Sequence, residues 1–85
     1  MSVKYLQLAQ SADKNLSKLP KNIQTKIILS FDKIKTNPIV GIKLHGELKN
    51  YYKFRVGDYR IIYKINIKEN LVQIVKIEHR QGVYK

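Results

Sequence analysis

Apolar residues change their spacing midway along the chain. Val3 and Tyr5 open a short β-prone run that reaches Leu8 and breaks at Ala9-Gln10, which reads as a first strand. Ala12, Leu16 and Leu19 then recur at i, i+4 and i+7 and mark one face of a short helix, with Ser11 as its expected N-cap and Asp13 in its first turn. Pro20 closes that helix and suits the opening of another. Ile23, Ile27, Phe31 and Ile34 follow at nearly 3.6 spacing, and Ile28 widens the stripe. Asn37-Pro38 stops the second helix, because the residue before proline is pushed out of helical geometry. Residues 38–50, containing Gly41 and Gly46, read as a connection.

Beyond it the period becomes two. Tyr52, Phe54 and Val56 alternate with Tyr51, Lys53 and Arg55; Tyr59, Ile61, Tyr63 and Ile65 alternate with Arg60, Ile62 and Lys64; Leu71 to Ile77 is a third β-prone run. The order βααβββ predicts an α+β fold, an antiparallel meander sheet with an N-terminal helical hairpin packed on one face. At 85 residues the chain reads as a single domain, 1–85, with one core and no room for a deep cofactor cavity.

Gly57-Asp58 reads as the two-residue turn of a primed hairpin, where glycine supplies a positive φ. Counting outward pairs Val56 with Tyr59, Arg55 with Arg60, Phe54 with Ile61 and Lys53 with Ile62. The aromatic and aliphatic set then faces the helices, while Lys53, Arg55 and Arg60 face solvent. Two arginines directly opposite each other repel by a few tenths to about 1 kcal/mol, so the pair is expected to hold an anion, and phosphate suits the guanidinium fork.

Charge strengthens this reading. Lys+Arg number 17 against 6 Asp+Glu, and the net +11 is spread over both halves of the chain. Such a surface attracts polyanions: nucleic acid, an acidic protein segment or an anionic membrane surface. The six acids are scattered without metal-ligand spacing, so neither metal nor cofactor is expected. There is no cysteine, which excludes disulfides and thiolate metal sites. Neither a signal peptide nor an apolar run of membrane-spanning length is visible, and a cytoplasmic location is expected.

The run Lys43-Leu44 through Gly46, the stretch Tyr52-Lys53-Phe54-Arg55-Val56-Gly57-Asp58-Tyr59-Arg60-Ile61-Ile62-Tyr63, and then His79-Arg80 with Val83-Tyr84 together resemble the RelE/ParE superfamily of toxin-antitoxin toxins. The likeness covers nearly the whole chain and implies the RelE-like microbial RNase fold. It also implies an mRNA interferase that cuts messenger RNA in the ribosomal A site, restrained by a cognate antitoxin of RelB type in a hetero-oligomer. On that resemblance Arg60 and Arg80 would be the phosphate and transition-state arginines, Lys53 a basic catalytic residue, Arg55 an accessory cation, and Tyr84 the tyrosine that orients or stacks on substrate. Tyr51 stands where the RelE branch carries a further lysine, and the interval from Arg80 to Tyr84 is shorter than in that branch. Both departures leave open the ParE branch, which poisons DNA gyrase.

Metal-free RNA cleavage needs a proton acceptor for the attacking 2′-hydroxyl and cations for the five-coordinate phosphorus. Arg55 and Arg60 favour a neutral Lys53, and a water-excluding partner would complete that effect. His79 reads either as a proton donor or substrate contact, or as a residue packing on the sheet; strand neighbours point oppositely, so His79 and Arg80 share a site only at a strand end or bulge. His45 reads as a surface residue, and Tyr51 and Tyr84 as rings able to stack on bases. A non-catalytic basic RNA-binding domain is the remaining alternative.

Overall fold

The computed structural model describes residues 2–46 and 50–79. Strand β1 (Tyr5–Leu8) leads into helices α1 (Gln10–Ser17) and α2 (Lys21–Thr36). A 3₁₀ turn (Pro38–Val40), the two-residue strand β2 (Ile42–Lys43) and three longer strands follow: β3 (Tyr51–Val56), β4 (Tyr59–Asn66) and β5 (Leu71–His79). The fold is α+β, and the sheet order is β1-β5-β4-β3-β2.

The antiparallel meander is β3-β4-β5, and the hairpin register matches the count from Gly57-Asp58 at every pair from Lys53–Ile62 to Val56–Tyr59. Gly57 has φ 59°, while Asp58 is not in the positive-φ region, the pattern of a type II′ turn. Two features go beyond a meander. Strand β1 pairs parallel with β5, so the sheet is mixed, and β2 forms inside the expected connection by pairing with β3. A four-residue strand carries no local signal for its neighbour. The main chain decides it: the Ala9 N–H donates to the Ile74 carbonyl at 2.8 Å, and Lys4 and Tyr5 donate to the Asn70 carbonyl.

Helix α1 starts without a side-chain cap, contrary to the expectation for Ser11. The helix begins two residues earlier, after Ala9, and the Ser11 hydroxyl donates instead to the Val75 carbonyl of β5 at 2.7 Å. The two helices are tied by Gln24, whose amide donates to the Leu16 carbonyl in the last turn of α1 and to the Leu19 carbonyl in the link beyond it. Ile27, Phe31 and Ile34 enter a core shared with Ala12, Ile61, Val72 and Ile74. Ile28 does not widen the buried stripe, being 51% exposed: the inward position beside it goes to Ser30, whose hydroxyl bonds back to the Lys26 carbonyl.

A bulge fixes the last strand. Ile74 and Ile77 are both buried although they are three residues apart, an interval that puts side chains on opposite faces of a regular strand. The register shift between Ile62 and Tyr63 leaves Val75 without a partner and brings Ile77 back to the core, opposite Ile61.

Tyr63 anchors the turn before β2. Its hydroxyl donates to the Pro38 carbonyl at 2.6 Å and accepts from the Gly41 N–H at 3.1 Å. Burial pushes this hydroxyl up from the usual tyrosine value of 10.0, partly offset by the Gly41 N–H. A raised folded-state value stabilises fully below the unfolded one and is lost as pH rises through the folded one. Tyr63→Phe is therefore expected to lower unfolding free energy by about 1–3 kcal/mol, because two backbone groups lose their partner. Its stability should also fall less steeply than the parent's above pH about 10, measured by urea titrations across that range. Gly41 must stay small: a Cβ there would sit 2.6 Å from the Lys53 carbonyl oxygen and 2.6 Å from the Tyr63 hydroxyl. Gly41→Ala is expected to cost about 1–3 kcal/mol by overpacking, checked by the same titrations.

Candidate functional site

The helices cover one sheet face and leave the other open. Cross-strand pairing arranges the open face in rows. Ile42, Lys53, Ile62 and Lys76 lie across β2, β3, β4 and β5; Arg55, Arg60 and Glu78 form the next row; Tyr51, Lys64 and Gln73 form another. Between the first two rows lies a cleft of about 400 Å³, bordered by Leu44 and Tyr51 and floored by Ile62. Three cations line it: Lys53, Arg60 and Lys76.

Arg55 and Arg60 are opposite each other as the hairpin count requires, but no external anion is needed between them. Arg60 pairs through Nε with the Glu78 carboxylate, and Arg55 turns its own Nε to the Gly57 carbonyl at 3.2 Å. Glu78 also takes Lys76 at 3.2 Å through its other oxygen. This corrects the expectation of bare, crowded guanidinium groups: a carboxylate of the same chain, only 11% exposed, relieves the repulsion. Arg60 remains usable. A guanidinium has five N–H donors, and among the described residues no hydrogen bond uses its Nη groups. Lys53 has no carboxylate within ion-pair distance among the described residues.

The other expected residues divide. Tyr51 lies at the cleft with Lys64 Nζ 5.8 Å from its ring centroid. His79 lies on the helix-covered face, opposite Tyr59, with the two rings edge to face at 5.2 Å. That position fits its packing role and keeps it away from Arg60. His45 is exposed, as expected. Arg80 and Tyr84 lie outside the described residues. Lys76 and Glu78 were not anticipated. Their signal is the broken alternation in Ile74-Val75-Lys76-Ile77-Glu78: once Ile74 and Ile77 are both placed inward, Lys76 and Glu78 must share the outer face with Arg60.

A family model described as the ParE toxin of type II toxin-antitoxin system, parDE, matches residues 6–84. The chain belongs to the RelE/ParE superfamily of type II toxins. It is 31% identical over 77 residues to the toxin RelG of Mycobacterium tuberculosis, covering 88% of each chain. Its fold is similar to the toxin of the RelBE2 toxin-antitoxin complex of the same organism, with a TM-score of 0.85 at 29% identity over 94% of both chains. It is also similar to a chain of the archaeal RelE-RelB complex from Pyrococcus horikoshii, with a TM-score of 0.77 at 28% identity over 92% of this toxin and 96% of that chain. Among the described residues of the toxin, no helix is long and apolar enough to cross a membrane.

Proposed function

We propose that this toxin is a ribosome-dependent mRNA endonuclease working without metal. The observation that carries the reading is the open cleft in which Lys53, Arg60 and Lys76 converge from three strands on a space wide enough for a phosphodiester. Its relatives RelG and the RelBE2 toxin support the same direction. In this reading the 2′-oxygen bonds to phosphorus as the bond to the 5′-oxygen breaks. Lys53, in its amine form, takes the 2′-hydroxyl proton and becomes an ammonium, and the departing 5′-oxygen takes a proton from water. The end of Arg60 bearing both Nη groups holds the non-bridging oxygens, whose charge grows in the transition state. Arg80 and Tyr84 are proposed to complete the site, Arg80 as a second phosphate cation and Tyr84 as a substrate-orienting ring, with Arg55 and Tyr51 contacting the flanking message. In this reading the chemistry falls to the cations of the cleft.

The partner is proposed to be an acidic antitoxin of RelB type, drawn by the net +11 and consistent with the toxin-antitoxin complexes that this fold resembles. The compartment is proposed to be the cytoplasm. The second reading, a gyrase poison, is favoured by the description of the matching family model and by Tyr51 standing in place of a lysine. Induction in cells separates the readings. Translation arrest with message cut at A-site codons is the expected result; double-strand breaks with an SOS response would replace it with the gyrase reading, and harmless expression would leave a non-catalytic RNA-binding domain.

A further inference from the structure

The structure assigns to Glu78 a positioning role: its carboxylate aims Arg60 and Lys76 at a phosphodiester in the cleft, an assignment that rests on the mRNA-cleavage reading. A carboxylate among cations could instead act as a built-in competitor that keeps phosphate out. The atoms used argue for positioning. Glu78 holds Arg60 by Nε, the edge of the guanidinium nearest the strand. A planar guanidinium held there leaves its far edge, with both Nη groups, as the phosphate-binding fork. The second carboxylate oxygen takes Lys76 Nζ at 3.2 Å, leaving that ammonium with further donors to spare.

Burial supports the same role. The Glu78 side chain is 11% exposed, Arg60 30% and Lys76 55%, so the carboxylate sits beneath the two cations and the cations face outward. A competitor would have to occupy the outer position, where phosphate arrives. Backbone geometry holds the trio as well, since Arg60 and Glu78 are direct cross-strand partners and the Val75 bulge puts Lys76 on the same face. Unsupported, both long side chains would sample many rotamers, and ordering them would be charged against substrate binding or the transition state.

The test splits binding from turnover. Glu78→Ala removes a negative charge, so binding of an RNA oligonucleotide made uncleavable by a 2′-deoxy substitution should stay within about threefold of the parent or tighten. Cleavage of ribosome-bound message at saturation should nevertheless fall by roughly 10- to 100-fold, the scale of misplacing a catalytic group by about 1 Å. Glu78→Gln, which keeps an oxygen for Arg60 Nε, should recover part of the loss. The Arg60 Nε–H resonance provides a readout independent of cleavage: it should be protected from exchange in the parent and exposed in Glu78→Ala. Faster cleavage with tighter binding in Glu78→Ala would establish the competitor instead. An unchanged turnover in a folded variant would overturn the positioning role. A parent that cuts no message, yet shows the protected resonance, would sink the nuclease reading and the role with it while leaving the contact itself intact.

Discussion

Lys53→Met should lower the rate of message cleavage on ribosomes by about 10²–10⁴-fold, the contribution expected of a positioned proton acceptor. Methionine keeps most of the aliphatic stem, so the packing of β3 between β2 and β4 is retained and the fold should be unaffected. Binding to RNA should weaken only by the loss of one phosphate contact, seen as a reduction of about one in the slope of log affinity against log salt. The reason lies in the neighbourhood of Lys53: Arg60 and Lys76 share Glu78, whereas Lys53 has no carboxylate within ion-pair distance among the described residues. Primer extension on message recovered from ribosomes measures the cut directly. An undiminished rate would take Lys53 out of the reaction.

Arg60→Gln is expected to reduce cleavage by about 10²–10³-fold, the usual cost of removing one preorganised donor to developing charge. This change also has a structural side, because it leaves Glu78 with Lys76 as its one remaining ion partner among the described residues. A largely buried carboxylate that loses a charged partner costs roughly 1–2 kcal/mol at this partial exposure. The double variant Arg60→Gln with Glu78→Gln separates the two effects. Urea denaturation should show stability regained, while primer extension should show cleavage still lost. Recovery of both together would mean that Arg60 matters only as a strut for the sheet.

What was readable in the sequence follows from how far apart the interacting residues lie. The β3-β4 register could be counted because a two-residue turn at Gly57-Asp58 leaves no freedom, and the placement of Arg55 opposite Arg60 came with it. The β4-β5 register could not be counted in the same way. Carrying the count back from the turn after Asn66 sets Arg60 against Ile77, and only the bulge after Ile74 moves it to Glu78. The arginine pair was thus legible while its counter-ion was not, and the inference of an empty anion site between Arg55 and Arg60 failed for that reason. The parallel pairing of β1 with β5 was illegible too, since four residues near one end of the chain say nothing about which strand they will join. Helix faces fared better. Ala12, Ile27, Phe31 and Ile34 lie where their spacing puts them, and Ile28 departs because the stripe is narrower than the run of isoleucines suggests.

The pairing of Tyr5 with Leu71 has a consequence for how the toxin comes into being. The edge strand β1 must wait for β5, far along the chain, before its hydrogen bonds can close, and contacts so distant in sequence form slowly. Lys76 and Glu78 ride on that same late strand. The cationic cleft is therefore complete only once β5 has docked between β1 and β4, so the same strand that closes the sheet also assembles the site.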